Sequence, residues 1–570
     1  MQTFHDLIRR AAAEAAGLDP AEIRLEEPRD PSLGDVALPC FLVGKARKQA
    51  PPAAAAELAA ALSGKLDRIE ARAAGPYVNF TIERGLLAAT VLAEVEAKGA
   101  EYGSSSVGAG RVVVVDYSSP NIAKPMHVGH LRSTIIGAAL VRLHESQGYK
   151  VVGINHIGDW GSQFGGLVVA IRRRGRTIDE SDPVHGLLEL YQWSKAQVEA
   201  DPAFAAEARE AWRELESGRE GEVRDLWRWV TKASLAGFEK TYARLGIRHD
   251  LVRGESWYEP LLAETFARVE AAGVVEESQG ALVVMLGAVD KGLKETPCLL
   301  RQSDGTTLYA TRDLAALFSR HAEFDFARAL YVVGGEQKLH FRQLKGVLKR
   351  MGLEWEAKVE HIDFGLLLGP GRAKLASRKG AVLVLDDLLD EVAEEALRVV
   401  SEKNPSLDEA ARRQVAEAVG IGAVVFNDLK RERIKDVEFD KAQILSFEGD
   451  TGPYVQYAHA RLASILRKAE ESGEGRAAPD MGALADAAGV VLALARHGTV
   501  LRTATERCEP SLLAQHLLAL CRETSSWYAH SRVLGQEPGV TAARLRLVRA
   551  TKQVIASGLR QLGVAAPEAM

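Results

Sequence analysis

The sequence predicts an α/β protein built on a doubly wound parallel sheet, with an α+β segment before it and an all-α segment after it. Three observations carry that expectation. The run of four valines, Val112 to Val115, reads as a buried strand. An apolar-periodic stretch (131–147) and a second apolar run (151–155) follow it, and strand–helix–strand order opens an α/β sheet. After about Asp386 nearly every stretch is helix-forming, which predicts a helical C-terminal domain.

The elements follow in chain order. The first segment, 1–108, holds alanine-rich helical sequence at 51–62 and the strand-like GPYVNFTIE (75–83). Glycine and serine cluster in EYGSSSVGAG (101–110), a linker before the valine strand. Charged, tryptophan-containing helical sequence from about 175 to 300, with a β-like piece near 281–286, reads as an insertion within the sheet domain. The sheet pattern resumes with ALYVVGGEQ (329–337), a helix at 340–351 and HIDFGLLLG (361–369). The glycine-bounded loop GPGRAKLASRKG (369–380) comes next, and SGEGRAAPDMG (472–482) interrupts the helical tail. The expected divisions are 1–108, 109–385, 386–449 and 450–570.

At 570 residues the chain exceeds one core, and a net charge of −5 with 47% hydrophobic content is ordinary for a globular protein. The charge is uneven. Residues 451–570 carry 14 Lys and Arg against 10 Asp and Glu, a net +4, so the remainder carries 58 against 67, or −9. A mildly basic tail is compatible with nucleic-acid contact and equally with a solvated helical surface. Cys40, Cys298, Cys508 and Cys521 are far apart, which excludes a zinc-ligand spacing and suggests reduced thiols. The amphipathic opening lacks signal-peptide anatomy, and no apolar stretch reads as approaching the roughly 20 residues of a membrane helix.

The junction after the valine strand reads DYSSPNIAKPMHVGHLRST (116–134). His127 and His130 stand three apart with Gly129 between them, where helix-start amides and the macrodipole favour an anion. Imidazoles can donate hydrogen bonds to phosphate oxygens, and Gly129 lets a flat base approach the backbone. Lys124 adds a flexible cation, while Pro120 and Pro125 stiffen the loop. The later loop gathers Lys374, Ser377, Arg378 and Lys379. Cations there can stabilise the charge that develops as pyrophosphate leaves. Alone, a histidine pair is more often structural, and a cationic loop is more often solvated surface.

Paired in this order on an α/β sheet, the two stretches resemble the HIGH and KMSKS signatures of class I aminoacyl-tRNA synthetases. The blocks SSPNIAKPMHVGHLRST, NHIGDWGSQFG (155–165), TLYATRDLA (307–315), VVGGEQKLHFRQL (332–344), DTGPYVQYAHAR (450–461) and GLRQLGVAAPEAM (558–570) resemble arginyl-tRNA synthetases specifically. With AGPYVNF (74–80), the resemblance spans essentially the whole chain. It implies a Rossmann-like catalytic domain, an N-terminal domain contacting the tRNA elbow, a helical stem-contact region and an anticodon-binding domain. It implies ATP-dependent activation of L-arginine to arginyl-adenylate and transfer to tRNA(Arg). Magnesium accompanies the ATP without a dedicated protein site. The implied enzyme is a cytoplasmic monomer with no membrane association.

By motif position, the resemblance places Asp116, Ser119, Asn121, His127, Tyr309, Asp313 and Gln337 at the arginine site. A guanidinium needs carboxylates and carbonyl acceptors in a fixed fork. Tyr309 and Asp313, four apart and on one face if helical, are assigned to it. Asp116, Asn121 and Gln337 are assigned to the α-amino end. His127, Gly129 and His130 would hold ATP with Lys374, and His340 and Phe341 would sit at its adenine–ribose end. Lys124, His127, His130, Lys374, Ser377, Arg378 and Lys379 form the catalytic set. Tyr77 and Asn79 in the N-terminal segment, and Tyr454, Tyr457, His459, Arg461, Trp527, Tyr528 and Arg532 in the tail, are candidates to face RNA. The second signature departs from the common form. KLASR stands for KMSKS, with Leu375, Ala376 and Ser377 at the altered places, which shifts weight onto Lys124, Arg378 and Lys379.

Two rivals remain at this stage. A small-substrate nucleotidyltransferase shares the histidine motif but needs no large helical tail. A synthetase-like RNA-binding protein without catalysis would not need both histidines and the cations of 374–379.

Overall fold

In the N-terminal segment apolar residues alternate or recur at helical spacing, and each element buries its apolar side. A computed structural model gives the fold and describes every residue except 29, 177–182, 303–308, 370, 372–382 and 406. Helix α1 (Gln2–Ala16) ends on left-handed Gly17, φ 68°. Strand β1 (Val36–Pro39) precedes helices α2 (Phe41–Arg47) and α3 (Pro51–Leu62). The hairpin β2 (Ile69–Ala74) and β3 (Tyr77–Ile82) completes an antiparallel sheet in the order β1-β3-β2, covered by α3, on which α1 packs. Helix α4 (Arg84–Lys98) leads into the linker, its start capped by Glu83, whose carboxylate accepts from the Gly85 and Leu86 amides.

The valine run is strand β4 (Val112–Asp116), with Val113 to Val115 buried. Helix α5 (Val128–Ser146) crosses to β5 (Lys150–Asn155). Gly137 lets α5 close on the strand, because a Cβ there would lie 2.2 Å from Tyr117. Four helices then intervene: α6 (Gln163–Arg174), α7 (Pro183–Ala200), α8 (Pro202–Glu216) and α9 (Glu222–Arg244). The short β6 (Leu251–Val252), α10 (Glu255–Tyr258) and α11 (Leu262–Ala271) follow. A separate antiparallel sheet comprises β7 (Val275–Ser278), β8 (Ala281–Val284) and β9 (Cys298–Arg301). Helix α12 (Tyr309–Phe324), β10 (Arg328–Tyr331), α13 (Lys338–Arg350) and β11 (Val359–His361) return to the main sheet. Its five strands are all parallel, in the order β11-β10-β4-β5-β6. The strand order reverses between β4 and β10, the point where such sheets bind ligands.

Beyond β11 a short parallel pair joins β12 (Leu367–Leu368) to β13 (Val437–Glu438). Helices α14 (Leu385–Lys403) and α15 (Glu409–Leu429) lie between them, and α16 (Lys441–Ile444) follows. The tail is a bundle of α17 (Gly452–Ser472), α18 (Ala488–Glu506), α19 (Ser511–His530) and α20 (Pro538–Leu562). Among the described residues one segment, Met481–Glu506, is long and apolar enough by length and composition to cross a membrane, contrary to the sequence expectation. Half of its apolar window is buried, and α18 packs against α19, α20, α4 and α5, the setting of a core helix.

Buried charges tie the bundle to the sheet. Arg132 on α5 pairs with Asp428 on α15 (2.8 Å) and donates to the carbonyls of Lys435 (2.9 Å) and Arg433 (3.2 Å). Arg433 donates to the Asp363 carboxylate after β11 (2.9 Å), and its backbone N–H donates to Glu509 (3.3 Å) at the α18–α19 turn. Arg328 of β10 pairs with Glu360 (2.7 Å) and donates to Cys508 Sγ (3.1 Å) in the same turn.

Candidate active site

The loop 117–127 leaves β4 at the point of reversal and delivers both histidines to the start of α5. His127 is the N-cap. Its Nδ1 accepts from the Gly129 N–H (3.1 Å), and the His127 N–H donates to His130 Nδ1 (3.1 Å). The rings lie 3.9 Å apart. Burial pushes His130 down to about 3, with the charges of His127 and Lys124 adding to the effect. Burial and Lys124 also lower His127. Both rings are therefore neutral near pH 7, and because each Nδ1 accepts, each Nε2 carries the proton and donates. Gly129 owes its lack of a side chain to this fold-back, since a Cβ would sit 2.8 Å from the His127 ring.

The expectation that helix-start amides hold the anion needs correction. The Val128 N–H donates to Leu383 O (3.1 Å), the Gly129 N–H to His127 Nδ1, and the His130 N–H to His127 O (2.8 Å). Those donors are already engaged, so the imidazole Nε2 groups remain as the motif's donors. Lys124 places its ammonium 4.3 Å from the centre of the Tyr191 ring on α7.

The first half of the loop is held in an unfavourable backbone. Ser118 (φ 75°) and Ser119 (φ 55°) are left-handed without being glycine. A polar network fixes them. The Ser118 N–H donates to Ser133 Oγ (3.0 Å), and its hydroxyl bonds to those of Tyr242 and Thr134 (2.8 Å each). The Ser119 N–H donates to Asn155 Oδ1 (3.2 Å), and Asn155 in turn donates to Tyr242 (3.0 Å).

Of the residues assigned to arginine, Asp116 is buried and doubly engaged. Ser119 Oγ donates to Oδ1 (3.1 Å), and Arg320 donates to Oδ2 (2.7 Å). Asn121 is exposed and bridges to Gly158, where a Cβ would lie 2.0 Å from the Asn121 amide oxygen. Tyr309 and Asp313 share a face of α12, as their spacing predicts, and Tyr309 is 68% exposed. Asp313 meets His340 Nε2 at 2.5 Å, joining a residue assigned to arginine with one assigned to the nucleotide. Gln337 is exposed at the start of α13. Phe341, assigned to the adenine–ribose end, is mostly enclosed. It is stacked on His361 (4.5 Å) and close to Tyr331 (5.3 Å).

Sequence reasoning missed an acidic wall. Asp159 is buried and accepts from the Ser256 N–H (2.9 Å) and hydroxyl (2.6 Å). Burial pushes Glu255 up to about 7, with Asp159, Asp313 and Glu259 adding to the shift and Arg312 opposing it. Arg312 is paired with Glu259 (2.6 Å). Asp159 stood inside a quoted block, and Arg320 stands seven residues after Asp313 on one helical face; those spacings were the available signal. Carboxylates crowded about Glu255 and Asp313 suit a substrate with a cationic end.

Lys374, Ser377, Arg378 and Lys379 lie outside the described residues. The chain beyond them is stitched to the histidine motif. Val128 and Leu385 exchange backbone hydrogen bonds with Leu383 and Met126 (3.1 and 2.9 Å), and His127 bridges to Val384.

The model of the class I (R) tRNA synthetase catalytic domain matches residues 92–441. The chain belongs to the arginyl-tRNA synthetase family. An arginyl-tRNA synthetase N-terminal domain matches residues 2–82, and a DALR anticodon-binding domain matches 455–570. An arginine–tRNA ligase of Streptococcus thermophilus is 41% identical over 548 residues, covering 96% of this chain and 95% of its own. One of Exiguobacterium is 41% identical over 570 residues, covering 100% and 99%. The Thermus thermophilus arginyl-tRNA synthetase structure superposes with a TM-score of 0.82 at 29% identity, covering 99% of both chains. That of Plasmodium falciparum, 21% identical, shares the fold at 0.78, covering 100% and 99%. The activity is that of an arginine–tRNA ligase, a class I enzyme using ATP.

For this synthetase the proposed RNA-facing residues divide by exposure. Tyr457 and Arg461 are exposed, Arg461 lying 4.4 Å over half-buried Tyr528, and Arg532 is exposed too. Tyr77 is half-buried against exposed Phe41, 6.2 Å away, and Tyr454 is half-buried. Three are enclosed. Asn79 is 3% exposed within β3, Trp527 is buried with Nε1 on Asp486 (3.3 Å), and His459 is buried against Pro567 O (2.9 Å). Side chains so enclosed pack the core in this conformation.

Proposed function

We propose that arginine lies between the Asp116–Asn121 loop and the Tyr309–Asp313 face of α12, with the triphosphate of ATP across the His127–His130 pair. The observations that carry this reading are the carboxylates gathered about Glu255 and, at the end of the loop that leaves β4, two neutral imidazoles whose Nε2 protons are left to donate. The guanidinium meets Asp313 and Tyr309, and its approach favours the charged form of Glu255, which burial otherwise pushes up to about 7. The α-carboxylate attacks the α-phosphorus, the bond to the bridging oxygen breaks, and pyrophosphate leaves with the electron pair. The terminal ribose hydroxyl of tRNA(Arg) then takes the arginyl group and AMP departs. The protein contributes positioning and charge stabilisation, so no side-chain nucleophile is invoked. Lys124, swinging off Tyr191, and Lys374, Ser377, Arg378 and Lys379 share the pyrophosphate charge. Magnesium enters on the nucleotide.

Four free, buried thiols fit a reducing compartment such as the cytoplasm. The experiment is ATP–pyrophosphate exchange with purified protein. Exchange should require L-arginine and tRNA(Arg) together. Exchange driven by another amino acid, or vigorous without tRNA, overturns the reading.

A further inference from the structure

The α12 face that presents Tyr309 and Asp313 continues two turns deeper to Arg320, about 10.5 Å along the axis at 1.5 Å per residue. Arg320 is 0% exposed and lies beneath the ends of adjacent strands. Its Nη1 donates to Asp116 Oδ2 (2.7 Å) at the end of β4, and its Nη2 meets His156 Nδ1 (3.3 Å) just after β5. Its Nε donates to the Tyr258 hydroxyl (3.2 Å) on α10. The guanidinium lies 5.3 Å from the Tyr331 ring, at the end of β10 and directly opposite Asp116 in register. One cation thus ties the ends of three neighbouring strands to α10 and α12.

A buried ion pair is rarely the most stable filling for such a space, because desolvation offsets much of the attraction. Its geometry is what distinguishes this one. Asp116 Oδ1 faces the other way and accepts from Ser119 Oγ (3.1 Å), and Ser119 is held left-handed two residues before Asn121. Rotation of the Asp116 carboxylate would release that hydroxyl.

We propose that Arg320 is a positioning residue of the arginine site, acting through Asp116 to hold the Ser119–Asn121 turn in its substrate-binding shape. This rests on the arginine site proposed above. Arg320 occupies one carboxylate oxygen permanently and orients the other toward Ser119. Its fork also fixes Asp116 relative to α12, so the loop at one end of the substrate and Asp313 at the other keep a set separation. Lysine preserves the charge but cannot bridge Asp116, His156 and Tyr258 together.

The test uses the full-length enzyme with tRNA(Arg), measuring exchange kinetics and thermal melting for R320K and R320A. The expected result for R320K is a cooperative fold, a KM for arginine raised tenfold or more, and a KM for ATP within twofold of wild type. R320A should show the same split, and millimolar methylguanidinium should recover part of its arginine KM while giving wild type no gain. An R320K enzyme with unchanged arginine KM, or arginine and ATP KM values rising together, overturns the proposal, as does R320A without recovery. A wild-type enzyme that fails arginine-dependent exchange would instead overturn the proposed function, leaving the two failures distinct.

Discussion

Gly158 and Asn121 share so little space that a methyl group on the glycine would fall 2.0 Å from the Asn121 amide oxygen. The loop backbone is pinned there by Gly158 N–H to Pro120 O (3.0 Å) and Ile122 N–H to Gly158 O (3.2 Å), so the amide must move instead. Gly158→Ala should raise the KM for arginine about tenfold, equivalent to about 1.4 kcal/mol of lost binding, while the KM for ATP stays near wild type. Steady-state exchange kinetics would read this, and equal losses for both substrates would refute it. At this scale the histidines at a helix start and the shared face of Tyr309 and Asp313 were legible because fixed spacing sets those placements. Arg320, Glu255 and Asp159 were not, since their contacts join distant segments. Phe341, Asn79 and Trp527 suit recognition by residue type, and the folded chain encloses them, which sequence pattern alone does not show.

Helix α5 begins at Val128, three residues earlier than the apolar periodicity suggests. A histidine cap lies outside the usual set of Ser, Thr, Asp and Asn, so the sequence carries no standard start signal. Likewise the stretch 361–369 looked continuous but contains the end of β11 and the separate β12. Between them Asp363 is held by Lys338 (2.7 Å) and Arg433, and Gly365 abuts the Lys435 backbone, where a Cβ would sit 2.7 Å from the carbonyl. The α5–α15 contact carries its own prediction. Asp428 and Arg132 are each about 2% exposed in their side chains. Asp428→Asn leaves a buried guanidinium uncompensated and should lower stability by about 3–5 kcal/mol. Urea unfolding would register it; an unchanged midpoint would show that the carbonyls of Lys435 and Arg433 suffice.

Across the whole molecule, buried neutral histidines set an acid limit. Burial pushes His130 and His497 down to about 3, and His5, His144, His249 and His516 to about 4. The unfolded chain takes up these protons near pH 6.5 while the folded chain refuses them. Stability is therefore full above that pH and falls as pH drops toward 4, by up to about 1.4 kcal/mol per pH unit for each histidine. Glu255, raised to about 7, works in the opposite sense, as do Glu145, Asp159 and Asp428, which burial also raises. Denaturant midpoints should fall between pH 7 and 5, and a flat profile there would count against these burials. The three-part architecture was legible because strand, insertion and helical tail differ in periodicity. The joins between the parts were not, because Cys508, Glu509 and Arg433 lie in turns without periodic pattern. The seam between 126–128 and 383–385 also has a meaning in time. During synthesis the histidine motif emerges roughly 250 residues before its backbone partners, a wait on the order of ten seconds or more at ribosomal speeds. Until Leu383 arrives, the Val128 amide has no mate, so a nascent chain can display the motif long before it can seat a nucleotide.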